Sequence, residues 1–231
     1  MNLRKMIETI RAFRAGAPLG DVVVLKLDAL ADPPPGIASR LERVRGYAPD
    51  QDLPSLRQLP ADSLGREYAR FLDANGITPL AISPQIKERF RENPFVLRYT
   101  TTHDLHHVLT GFDAGLAGEA GVYAFTVGQG SAPGGHAMLW LVRIVYALFA
   151  PTQARRVWHN IGVGLRAGGT AALVIAEPIE SWFAEPLAEV RRRLGLPAPE
   201  EAGVRASLPS VVARLVYGPT KPPLPPARGH A

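Results

Sequence analysis

The chain contains no cysteine, which excludes a disulfide framework, thiolate nucleophiles and the cysteine-rich shells of structural zinc sites. That absence agrees with a reducing cytosolic setting. Aromatic residues make up only 7% of the chain, and no zinc finger, RNA-recognition signature or basic run with interleaved aromatics is present. Nucleic acid is therefore not an expected partner, and the net charge of +5 points instead to an anionic membrane surface. No apolar segment reaches the ~20 residues that crossing hydrocarbon requires. The most apolar run, HAMLWLVRIVYALFA at 136–150, is interrupted by Arg143 and is expected to be a buried helix. No secretory signal is expected, because no uninterrupted apolar segment follows the N-terminal charges.

What is present reads as helix. With 231 residues and 46% hydrophobic content the chain can bury one good core. The expected fold class is all-α: a single helical domain over 1–197 with a two-helix metal site, then a short helix near 208–217 and a Pro-rich tail within 198–231. Leu3, Met6, Ile7, Ile10 and Phe13 recur at helical spacing among Arg4, Lys5, Arg11 and Arg14. Such a basic amphipathic helix can lie on an anionic bilayer or dock on the protein's own core. The run DVVVLKLDAL after it is ambiguous between strand and helix and is read as helix. Pro33, Pro34 and Pro35 end it, and a polar connection follows over 47–60 with one short helix. Asp62 is expected to cap a helix striped by Leu64, Tyr68, Phe71 and Leu72, and Ser83 one beginning at Pro84. Small residues in GVGLRAGGTAALVIA either let helices approach closely or leave room for a long apolar ligand. Arg155, Arg156 and 191–193 are read as solvated faces, with a lipid phosphate or head group as the alternative for either group, and His136 and His159 as packing or capping residues.

The densest chemistry lies in HDLHHVLTGFDAGLAGE, residues 103–119. On a helix advancing about 100° per residue, His103, Asp104 and His107 fall within one arc, with the imidazoles one turn apart. Gly111, Gly115 and Gly118 break the helix, so a second helix starting near Leu116 can return Glu119 to the same place. Two imidazoles with one or two carboxylates suit a catalytic divalent metal with an open position. His106 points to a neighbouring face, toward a carboxylate behind the ligands or toward solvent, and is left out of the set.

The spacing HDxxH, eleven residues, then Glu resembles the metal motif of the ubiquinone (coenzyme Q) biosynthesis family numbered four in the coq series. It matches at His103, Asp104, His107 and Glu119, and GREYARFL, PFVLRYTTTHDLHH and ESWFAEPLAEVRRRLGLP extend the likeness over most of the chain. After Glu119 the family has a Lys and then an aromatic-acid pair, whereas this chain reads AGVYAFT, with Tyr123 and Thr126.

The resemblance implies a helical protein associated peripherally with a membrane, removing the carboxylate at ring carbon one of a polyprenylated hydroxybenzoate in ubiquinone synthesis. It implies metal ligands His103, His107 and Glu119, with Asp104 as fourth ligand or proton carrier, and Asp104 and Glu119 as the catalytic pair. Zinc is the first choice on that resemblance; iron and magnesium stay open, since two His and one carboxylate also serve non-haem iron oxygenases. Expected partners are a polyprenylated benzoate or quinone lipid, an anionic membrane surface and other ubiquinone-biosynthesis proteins, and a homodimer is compatible with them. The expected location is cytoplasmic, at the inner face of a membrane. Two alternatives remain: a non-catalytic scaffold that holds prenylated intermediates, and a generic metal-dependent hydrolase.

Overall fold

The structure is a computed structural model that describes residues 2–30, 32–132 and 134–208. Among them are thirteen α-helices and no strand, as the all-α expectation requires. Helix α1 (Leu3–Arg14) is capped by Asn2, whose side chain accepts from the Lys5 amide, and a short turn folds it back on α2 (Leu19–Leu30). The helical reading of DVVVLKLDAL holds, because Val24, Leu25 and Ala29 face the core at helical spacing. Helix α1 buries Thr9 and ties Lys5 Nζ to Asp28 Oδ1 at 2.9 Å, yet leaves Leu3, Ile7, Ile10 and Phe13 exposed. It is thus docked on its own fold and still presents an apolar outer edge.

Single turns α3 (Ile37–Arg40) and α4 (Leu53–Leu56) punctuate the connection to α5 (Leu64–Asn75). The cap of α5 is Ser63, whose Oγ accepts from the Arg66 amide at 3.2 Å. Asp62 was the expected cap, but its carbonyl instead accepts from the Leu187 amide at 2.8 Å. Helix α6 (Pro84–Arg89) begins at Ser83 as expected, the hydroxyl accepting from the Ile86 amide at 3.3 Å.

The segment PFVLRYTTTHDLHH is not one continuous helix: the structure has two, α7 (Phe95–Thr101) and α8 (His103–Thr110), broken at Thr102. The Thr102 hydroxyl donates to the Arg98 carbonyl at 2.7 Å, a side-chain bond that competes with regular helix. Arg98 is fully buried, donating to Glu180 at 2.6 Å, to Ile175 O at 3.2 Å and to Glu177 O at 2.7 Å. This paired cation fastens the turn before the ligands to the segment at 175–180, and nothing in the local sequence pattern announces it.

Helices α9 (Leu116–Gly128) and α11 (Pro151–Thr170) make the closest contact in the fold. A Cβ on Gly164 would lie 2.2 Å from Gly121 O, and one on Gly168 2.1 Å from Phe125 O. Close approach is therefore what these small residues provide. Helix α10 (Gly135–Phe149) precedes α11, and the expectation that it is buried is overturned: only Leu139 is. Its apolarity is matched on one side by the core and on the other by nothing in the chain as described. Helices α12 (Leu187–Leu194) and α13 (Pro199–Ala202) close the described fold. Arg191 is not a solvated residue: its guanidinium donates to Val108 O and Leu109 O, both at 2.9 Å, capping the end of α8. Arg192 and Arg193 do pair at the surface, with Glu189 and Glu185, and His159 meets Gly203 O at 2.7 Å. The expected helix at 208–217 and the Pro-rich tail lie outside the described residues. Among the described residues no helix is long and apolar enough to cross a membrane.

Candidate metal centre

Helix α8 opens on His103 and carries His107 one turn later, so the two rings sit edge to face with centroids 5.1 Å apart. The connection to α9 is held by Asp113, whose Oδ1 accepts from the Gly115 amide at 3.0 Å. A Cβ on Gly118 would come within 1.8 Å of Asp113 O, so only glycine permits this reversal. It places Glu119 in the first turn of α9, where the helix dipole favours a carboxylate, facing α8.

The donor atoms of His103, His107 and Glu119 lie within 4.8 Å of one another. His103 Nε2 is 3.6 Å from Glu119 Oε2, and His107 Nε2 is 3.5 Å from Glu119 Oε1. Both distances exceed a hydrogen bond and approach the ~3.3–3.4 Å edge of a tetrahedron of ligands ~2.0–2.1 Å from a zinc ion. The other ring nitrogens are occupied: His107 Nδ1 is 3.1 Å from Phe112 O, and His103 Nδ1 is 3.3 Å from Asp104 Oδ1. Partners on Nδ1 direct each Nε2 lone pair to a common point. This donor set fits a divalent ion with at least one open position. Of the four sequence candidates the structure brings three together; Asp104 stands at the Nδ1 of His103 rather than among the gathered donors.

His107 is buried and stacked on Phe71 at 5.1 Å, while His103 is half-exposed. Burial pulls the His103 pKa down, but the Asp104 hydrogen bond and the charges of Glu119 and Asp104 outweigh it and leave it above the ordinary value. Burial likewise pushes the Glu119 carboxyl up, and the adjoining imidazoles, His107 foremost, bring it below the usual range. His106 faces neither a carboxylate nor solvent, contrary to expectation. Its two ring nitrogens are buried without partners against Phe125, and burial with the neighbouring histidines drives its pKa down to about 3. It fills the core as a neutral ring.

The raised His103 pKa sets a pH dependence. Metal must displace the proton from Nε2, so affinity should be full above the folded-state pKa of His103 and fall below it, by about tenfold per unit for one competing proton. Zinc titrations from about pH 5 to 8.5 test this; a flat profile contradicts a site containing His103.

Two cavities meet at His103 and Tyr99. One, of about 230 Å³, is lined by Glu119, Tyr123, Thr126 and Tyr146. The other, of about 390 Å³, is lined by Val23, Leu27, Leu30, Leu80 and Asp104. Burial pushes the Tyr123 phenol up to about 12 and raises Tyr99 as well, so both remain neutral. Sequence reading did not find Tyr99, Tyr146 or Leu80: they come from α7, α10 and the connection between α5 and α6, and only the tertiary fold brings them to the histidines.

The profile of the family described as "Coenzyme Q (ubiquinone) biosynthesis protein Coq4" matches residues 41–200. The mouse protein named ubiquinone biosynthesis protein COQ4 homolog, mitochondrial, is 32% identical over 179 residues, 74% of this chain and 64% of its own length. The zebrafish protein of that name is 32% identical over 195 residues, covering 80% of this chain and 68% of its own length. In Podospora anserina, ubiquinone biosynthesis protein COQ4, mitochondrial, is 29% identical over 176 residues, 75% of this chain and 57% of that protein. The chain thus spans somewhat under two thirds of the mouse relative. A crystal structure of a candidate ubiquinone biosynthesis protein from Nostoc punctiforme superposes with a TM-score of 0.59 at 23% identity, over 86% of this chain and all of that one. That likeness establishes the fold.

Proposed function

The chain belongs to the coenzyme Q (ubiquinone) biosynthesis Coq4 family, and from that premise we propose that it removes the carboxylate at ring carbon one of a polyprenylated hydroxybenzoate, at the surface of a membrane. The observation that carries the reading is a three-donor set, open on one side, at the meeting point of two cavities of different character. Zinc suits two imidazoles and a carboxylate, and iron(II) shares that preference; magnesium favours an all-oxygen shell. Bound there, a divalent ion would supply Lewis acidity toward the substrate carboxylate.

The remaining work falls to the chain. Val23, Leu27, Leu30 and Leu80 offer an apolar bed for the start of the prenyl chain, and Tyr99 and Tyr123 keep neutral phenols beside the ring. When the bond from ring carbon one to the carboxylate breaks, carbon dioxide leaves and the electron pair stays on the ring carbon, which must take a proton. Asp104 borders the larger cavity beside His103, within reach of that role, and Glu119 balances the charge of the site and is the second candidate. Partners of the reading are the prenylated ring lipid, an anionic membrane surface and other ubiquinone-biosynthesis proteins.

A cell deprived of this protein should lose ubiquinone and accumulate polyprenylated rings that still carry the carboxylate, read by mass spectrometry of lipid extracts. Accumulation of an intermediate blocked at a different ring position would contradict the assigned step.

A further inference from the structure

Helix α10 is apolar on its outer side as well as its inner one. Trp140, Leu141, Ile144, Val145, Leu148 and Phe149 recur at the i, i+1, i+4, i+5 spacing of a single helix face, and all six are exposed, Leu148 by 69% and Phe149 by 76%. Large apolar side chains scattered singly over a surface are ordinary, whereas a contiguous stripe of six marks an interaction face. Trp158 of α11, 49% exposed, joins the stripe through its indole N–H, which donates to Arg143 O at 3.4 Å.

Charge decides what covers this face. From Ala120 to Ala176 the chain has no Asp or Glu, while Arg143, Arg155, Arg156 and Arg166 all fall in this interval. Among the described residues none of the four is in an ion pair. Arg143 lies over the Trp140 ring at 5.6 Å, with its Nε buried and unpartnered. A two-fold contact between copies sets a patch against itself, which here would bring Arg143 toward its own copy, and α10 carries no carboxylate to separate them. An anionic lipid surface supplies both an apolar layer and the missing negative charge. The helix is about 22 Å long at 1.5 Å per residue, short of the ~30 Å of hydrocarbon, so it suits a position along the interface, where tryptophan is favoured.

We propose that the outer face of α10, with Arg143 and Trp158 beside it, is the surface by which the protein seats on an anionic bilayer. The inner side of the same helix gives the seating a purpose. Val142 and Tyr146 line the cavity that reaches His103 and Glu119, and across His103 the second cavity is edged by the half-exposed Leu30 of α2. The two cavities share Tyr99 and His103, so a lipid taken up at α10 has a lined way to the metal site. The nature of that substrate rests on the function proposed above; the docking face does not.

The test uses the full chain and vesicles of phosphatidylcholine with about one third phosphatidylglycerol, with no substrate present, so it stands apart from the decarboxylation reading. Ile144→Glu and Leu148→Glu should each lower the vesicle affinity about tenfold or more, with helical content and metal content as in the wild type. Should either variant fold poorly, the wild-type protein still reports: lipids brominated in the acyl chain should quench its tryptophan emission, and less so in Trp140→Phe. Sedimentation unchanged in both Glu variants, or emission untouched by brominated lipid, overturns the proposal. A wild-type dimer that Leu148→Glu splits into monomers also overturns it, by assigning the face to a second copy.

Discussion

His107→Ala should strip the divalent ion from the purified protein while leaving its helices in place. His107 provides one of the three gathered donors, and its Nδ1 contact with Phe112 O at 3.1 Å already orients the ring. Removing an outer partner of a metal ligand costs about 10–100-fold in affinity, and losing the ligand itself should cost more. The fold should survive, because the core of α5, α8 and α12 is built from Leu64, Leu72, Leu105, Leu109 and Val190, none of which depends on the imidazole. Elemental analysis after gel filtration, beside circular dichroism, reads both parts of the prediction. Full metal occupancy in this variant would exclude the site.

Glu119→Gln should leave a cell that lacks the wild-type chain unable to make ubiquinone. Gln keeps the size of the side chain, and its position in the first turn of α9 is set by backbone bonds such as Glu119 N to Gly115 O at 2.8 Å. What is lost is the charge that balances an ion between two imidazoles and that could pass a proton. Either role predicts a large loss, about 100-fold or more where proton transfer is involved. Ubiquinone at wild-type level with the Gln variant would favour a chain that only holds prenylated lipids for other enzymes.

Much of this centre was legible before the fold. The His103 and His107 spacing needed only helical periodicity, and the glycines at 111, 115 and 118 needed only their reluctance to continue a helix to bring Glu119 back. The place of Asp104 was not, because an arc of about 100° says which residues share a face but not which nitrogen of a neighbouring ring each carboxylate meets. The roles of Arg98 and Arg191 depend on carbonyls some eighty residues away in sequence, beyond any local pattern. Asp62 and Ser63 are both good caps, and the choice between them falls to the contact of Asp62 O with Leu187. Helix α10 misled for a different reason: apolarity states that a surface avoids water, not that the protein itself provides the cover.

The most direct measurement gives metal-loaded wild-type protein, with anionic vesicles, a polyprenylated hydroxybenzoate carrying carbon-13 in its ring carboxylate, and follows the gas released. Labelled carbon dioxide should appear with the wild type and be absent with Glu119→Gln. A wild-type protein that holds its metal and its lipid but releases no labelled carbon dioxide would contradict the account.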